Sequence, residues 1–222
     1  MKCDERKAAI LHAARKVFAE KGFDGTTTRE LAAAAGVSEA LLYKHFPSKE
    51  SLYAAMRGAC GKGPGAGGLK RIEGLEPSTS TLVILVHGLM HHFVIGCGDL
   101  DRGAVDKLLV RSLLEDGNFT RQALTALGDA WLEKFDDCLK RAAKEGDLED
   151  SPVARDLRFW FSHHLAFALM LHLHPKQSAV DYRARKEDLV EQATWFSLLG
   201  AGVKREAIRR HYNPKALALL SD

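Results

Sequence analysis

Two helix-start signals stand eleven residues apart, at Thr27 and Ser38, and leave room for only one short helix and a turn between them. Thr27 can accept a hydrogen bond from the backbone of a new first turn, and Glu30, three residues on, completes a capping box. Leu31 to Ala35 continue as a short helix, and Gly36 breaks it. Val37 is apolar, Ser38 can cap the next helix, and Glu39 to Phe46 complete it. Pro47 cannot continue that hydrogen-bond ladder, and Ser48 can cap a further helix. Ahead of this block, residues 4–21 carry Ile10, Leu11, Ala14, Val17 and Phe18 at helical spacing, one apolar stripe that Gly22 brings to an end.

Two short helices joined by a tight glycine turn, behind a supporting helix, make a helix-turn-helix. A second helix that enters a DNA major groove needs a small or polar outer face and an apolar inner one. Leu31, Ala34, Val37, Leu42 and Phe46 are expected to pack inward, and Ser38, Glu39, Leu41, Lys44 and His45 to face out. Hydroxyls, lysine and protonated histidine suit phosphates, as do backbone amides at helix starts. The charge distribution agrees. Residues 1–57 hold ten Lys/Arg against seven Asp/Glu, while the remainder holds twenty-two of each, so the whole net charge of +3 lies in the first quarter. A basic end module on a neutral body suits a polyanionic partner.

The same residues resemble the tetracycline-repressor (TetR) family. The resemblance runs through Ala13-Ala14-Arg15-Lys16-Val17-Phe18-Ala19-Glu20-Lys21-Gly22-Phe23, Thr26-Thr27-Thr28-Arg29-Glu30-Leu31-Ala32 and Ala35-Gly36-Val37-Ser38. It ends with Leu42-Tyr43-Lys44-His45-Phe46-Pro47-Ser48-Lys49-Glu50-Ser51-Leu52, about fifty residues in all. It implies that Thr28 and Arg29 contact phosphate or a nearby base, and that Ser38, Glu39, Ala40, Leu41 and Lys44 lie on or near the reading face. It further implies that Tyr43 and His45 hold phosphates and that Lys49 clamps the DNA backbone. Glu39 has three open readings: acceptor from a cytosine amino group, solvated side chain, or repellent of non-cognate DNA.

The remainder predicts an all-α chain. Helices are expected near 79–96, 103–116, 120–145, 153–174, 184–202 and 204–211, with a short one near 215–220; no strand-like alternation persists. Gly58 to Gly68 holds six glycines and one proline and reads as a loop or linker. The expected organisation is a DNA-binding domain over 1–57, a Gly-rich linker over 58–77, and an effector-binding and dimerisation domain over 78–222. Cys3, Cys60, Cys97 and Cys138 form no disulfide or zinc-finger pattern, and the charged N-terminus has no signal-peptide core, which predicts a cytoplasmic protein. The most apolar run, Leu82 to Cys97, is too short to span a bilayer and contains three histidines, so it reads as a buried helix without membrane contact.

Family members use the C-terminal helices for ligand binding and dimerisation. Leu189, Ala193, Phe196, Gly200 and Val203 form a helical stripe with small residues that would let a second helix approach closely. Candidate effector-pocket residues are His87, Met90, His91, Phe93 and Val94, then Trp131, Phe135 and Cys138, then Phe159, Trp160, His163 and Phe167. Such a lining suits an apolar or aromatic small molecule; the plainer reading is ordinary core. His87 and His91 are one turn apart, a spacing that can hold a metal, and His163, His164, His172 and His174 could add ligands. No Glu follows His87, and no nucleophile elbow, phosphate loop or dinucleotide fingerprint is present. Neither an enzyme nor a bound cofactor or metal is therefore expected. The expected function is a homodimeric repressor on a near-palindromic operator, released by a small effector. Activation by the same architecture and metal sensing through the histidines are the alternatives.

Overall fold

A computed structural model describes residues 3–60, 74–96, 102–214 and 217. Among the described residues it contains helices and one isolated β-bridge. The helices are α1 (Cys3–Lys21), α2 (Thr28–Ala34), α3 (Glu39–His45), α4 (Lys49–Cys60), α5 (Thr79–Val94), α6 (Arg102–Leu114), α7 (Asn118–Lys144), α8 (Arg155–Leu173), α9 (Lys186–Gly200) and α10 (Arg205–His211). From α5 onward each end falls within two residues of the expected one, which is the ordinary ambiguity of a fraying terminus. The glycine-rich stretch lies outside the described residues from position 61 on, and α4 runs through Gly58 to Cys60. Of the short helix expected near 215–220, only Leu217 is described.

The chain divides into two compact units, Met1–Gly63 with Asp99–Leu127, and Pro64–Gly98 with Gly128–Asp222. In the first, α1 presents Ile10, Ala14 and Phe18, each four residues apart, to a core completed by Leu31, Ala32, Leu42, Phe46, Leu52 and Met56. Leu108 of α6 and Phe119 at the start of α7 join that core. Segment 99–127 thus packs with the N-terminal helices, although its sequence position groups it with the expected effector domain. Arg111 of α6 ties the two parts: its guanidinium donates to the Glu20 carbonyl at 3.1 Å and lies where a Cβ on Gly22 would sit. Gly22 has φ +74°, so both its backbone and its surroundings require glycine.

In the second unit α5 is the central element and packs against α8, α9 and α10. Leu82, Val83, Leu85, Val86, Leu89, Met90 and Val94 are buried on it, as the reading of this run as a buried helix predicts. A polar knot closes the far end. Asp147 is buried and accepts from Thr79 Oγ1 at 2.8 Å and from Arg210. Burial pushes its carboxyl up, but the hydrogen bonds from Arg210 and Thr79 outweigh it and hold it below the usual range. Glu149 N and Lys204 N bond to Gly202 O and Asp147 O at 2.8 and 2.9 Å, pinning the turn before α10.

Candidate nucleic-acid interface and effector site

The geometry of α2 and α3 follows from their caps. Thr27 Oγ1 accepts from Glu30 N at 3.3 Å, and Thr27 N donates to Glu30 Oε2 at 2.9 Å, so the capping box forms as the sequence predicts. The hydrogen bond from Lys21, then that from the Thr27 amide, hold the Glu30 carboxyl down to about 2. Gly36, at φ +64°, reverses the chain, and Val37 N reaches back to Ala32 O at 3.0 Å. Ser38 Oγ then accepts from Leu41 N at 3.2 Å and starts α3. Ser48 and Ser51 exchange hydrogen bonds in the same way at the start of α4.

Leu31, Leu42 and Phe46 are buried and Val37 is half-buried, as expected. Ala34 is not: it is exposed, and Leu31, Ala32 and Ala35 form the inner face instead. Ala34 lies within α2 but about 200° round from buried Ala32, so the face centred on Leu31, Ala32 and Ala35 turns it outward. On the outer side Arg29, Ser38, Glu39, Ala40, Tyr43 and Lys44 are exposed, while Thr28, Leu41, His45 and Lys49 are half-buried.

Three of these side chains form a cluster that the linear sequence does not signal. Thr28 Oγ1 donates to Glu39 Oε2 at 3.0 Å, and Tyr43 Oη donates to Thr28 Oγ1 at 3.4 Å. This holds the start of α2 against the first turn of α3 and gives Glu39 an intrachain role. Positions 28 and 39 meet only through the turn geometry between them. Lys49, the implied clamp, makes contacts within its own unit. Its Nζ donates to Phe23 O and Thr26 O at 2.9 and 3.1 Å and stands 4.2 Å from the Phe23 ring centroid. It closes the loop between α1 and α2, which fixes where Thr28 sits.

In the second unit the expected pocket residues fall into two groups. His163 is surrounded by Phe93, Trp160 and Phe167 with ring centroids at 5.3, 5.7 and 6.3 Å, and Phe159 bridges to Phe135 at 5.5 Å. His87 instead meets Tyr212, whose hydroxyl is 3.3 Å from His87 Nδ1, and lies 6.1 Å from the His91 ring. The split is geometric: His87 and Phe93 are six residues apart, about 240° around one helix. Tyr212, beyond α10, lies outside every motif and has no sequence signal. Met90, Val94, Trp131 and Cys138 are buried in the same unit, and burial pushes the Cys138 thiol up. Among the described residues no group of three or more His, Cys, Asp or Glu side chains could hold a metal ion, and no helix is long and apolar enough to cross a membrane.

The α9 stripe also divides. Ala193 and Val203 are buried in their own unit, whereas Phe196 is 70% exposed and Gly200 is open. The exposed large apolar side chains of these helices are Phe196 and Leu199 on α9 and Leu157, Phe161 and Leu171 on α8.

A supporting helix, a capped positioning helix and a capped, outward-facing third helix define a helix-turn-helix protein. Residues 10–56 match the family described as bacterial regulatory proteins, tetR family. The helix-turn-helix segment is therefore a domain of that family. Over 53 residues it is 45% identical to the transcriptional activator FasR of Mycolicibacterium smegmatis, covering 24% of each chain. Over 51 residues it is 49% identical to the regulator RutR of Escherichia coli K12, covering 23% of this chain and 24% of that protein. The chain thus spans about a quarter of the length of these curated relatives. The likeness in fold extends further. A TetR-like regulator from Rhodococcus sp. RHA1 superposes with TM-score 0.63 at 22% identity, over 90% of this chain and 99% of that one. AibR, in complex with isovaleryl coenzyme A and operator DNA, gives TM-score 0.61 at 19% identity over 86% and 97%. FadR of Bacillus subtilis, in complex with stearoyl-CoA, gives 0.60 at 17% over 87% and 98%.

Proposed function

We propose that this chain is a homodimeric transcriptional repressor that binds a near-palindromic operator and leaves it when a small apolar or aromatic molecule binds the second compact unit. The observation that carries the reading is the two-sided character of α3. Leu42 and Phe46 are buried beneath it, and Ser38, Glu39, Ala40, Tyr43 and Lys44 are exposed above. The exposed side offers hydroxyls and a cation to a phosphate backbone and short side chains to base edges. Thr28, Arg29 and His45 flank it. DNA contacts lie within residues 1–57 and effector and dimer contacts within 78–222, with 58–77 joining them and 99–127 belonging structurally with the first.

Two reading helices are needed for half-sites one turn apart, so the apolar face of α8 and α9 is read as the dimer seam. Exposed rings such as Phe161 and Phe196 are costly to leave in water, and a twofold axis would bury the same residues of both copies. Ligand and operator compete through the dimer's shape: an effector that favours the wrong spacing by ~1–3 kcal/mol weakens DNA binding roughly 5- to 150-fold. Neither catalysis nor a cofactor is part of this reading, and its setting is the cytoplasm. FasR, named an activator, supplies the second reading: the same protein raising transcription at its promoter. A transcription assay on one bound promoter separates the two.

Selection from random-sequence DNA tests the reading, with half-sites repeating at about 10–10.5 bp as the expected outcome. A Phe196→Asp variant sedimenting as a monomer and losing the paired half-sites supports the seam. Recovery of no enriched sequence by the wild-type protein overturns the reading.

A further inference from the structure

His163 lies on α8 with only 5% of its surface exposed, and its Nδ1 has no hydrogen-bond partner. Rings enclose it from two helices: Phe93 of α5 meets it edge-on, and on α8 Phe167 lies parallel to it while Trp160 and His164 meet it edge-on. A buried polar atom without a partner destabilises a fold and is rare in native proteins. A phenyl ring would fill the same space without that penalty. The position therefore holds a polar group that the ligand-free fold does not use.

We propose that His163 is the polar anchor of the effector site, its Nδ1 pairing with a hydroxyl of an uncharged ligand whose apolar or aromatic body lies against Phe93, Trp160 and Phe167. This rests on the reading of the second unit as the effector domain. A hydroxyl fits because it can donate or accept, and so serves either tautomer of a neutral imidazole. Burial, with the neighbouring His164, holds the His163 pKa down to about 4, so the ring is neutral at pH 7. That neutral ring supplies no counter-charge to a carboxylate at this position. Phe93, Trp160 and Phe167 are half-buried, and the ligand enters by displacing the last two.

Three probes share one bicyclic body: 1-naphthol, naphthalene and 1-naphthoate, each titrated calorimetrically into the full chain. The expected result is 1-naphthol binding at least tenfold more tightly than either of the others. In His163→Phe the margin over naphthalene disappears, and the ligand-free variant melts ~2–4 °C higher than wild type, the shift expected for a chain of this size relieved of one unpaired polar atom. A histidine with a merely structural role would melt lower on replacement. Equal binding of naphthol and naphthalene, tighter binding of naphthoate, binding of none of the three, or a lower melting temperature of His163→Phe overturns the proposal. The wild-type comparison needs no variant and stands if His163→Phe fails to fold. DNA binding by the wild-type chain, measured alongside, separates the two claims. A lost naphthol margin with DNA binding intact removes only the anchor, and a retained margin without DNA binding removes only the regulator reading.

Discussion

Both compact units cap helix starts with hydroxyls, but among the described residues only the second buries histidines among rings. In the first, hydroxyls and carboxylates stand at helix starts and are partnered there: Thr27 with Glu30, Ser38 with Leu41 N, Ser48 with Ser51. Their geometry is local and rigid, which suits a surface that must present fixed groups to a fixed phosphate lattice. In the second, His87 and His163 are drawn into the core among rings, both held down to about 4 by burial, and one of them has an unpaired nitrogen. On the proposed function, the first unit is read from outside and the second is filled from inside.

Core substitutions give the largest expected effect. Phe18 is fully buried, so Phe18→Ala should cost about 3–5 kcal/mol and unfold the first unit at much lower urea. Phe196→Ala should change folding by roughly 0.5 kcal/mol or less, because the ring is 70% exposed, while weakening self-association. If urea melts and sedimentation show the reverse ranking, the assignment of inner and outer faces is wrong.

Acid should act on the second unit next. A histidine held at about 4 stays neutral when folded but takes up a proton near 6.5 when unfolded. The stability it contributes is therefore present above pH 6.5 and is lost as pH falls from there toward 4. The slope approaches about 1.4 kcal/mol per pH unit for each histidine. Urea midpoints measured across that range check this, and a flat profile would contradict the burial of both rings. A smaller effect belongs to the turn. Gly36 has φ +64° and open space around it, so Gly36→Ala should cost about 1–2 kcal/mol from backbone strain alone, read as a shift in melting temperature.

The contrast also explains what the sequence could tell. Caps and glycine turns are decided by residues three or four positions apart, so the box at Thr27, the cap at Ser38 and the reversal at Gly36 are legible in the linear chain. Amphipathic stripes show that a face is buried but not what covers it. Hence Leu108 and Phe119 belong with the N-terminal core, and the stripe on α9 splits between Ala193 inside and Phe196 outside. Ala34 departs from its expected inward place because the buried face of α2 centres on Leu31 and Ala32, and an all-alanine stretch does not show in sequence which side that is. The link from Thr28 to Glu39 and the approach of Tyr212 to His87 depend on chain reversals, and adjacency of that kind has no local signature.

The central claim is that the face above Leu42 and Phe46 binds DNA through phosphates first and bases second. The direct measurement is the affinity for a selected operator between about 50 and 200 mM salt, for wild type and Tyr43→Ala. A dimer making several phosphate contacts should lose about 10³–10⁵ in affinity over that range. The variant should bind more weakly on a line parallel to wild type, because a tyrosine hydroxyl carries no positive charge to displace a counterion. Binding that ignores salt, or a Tyr43→Ala line that superposes on wild type, would contradict the account.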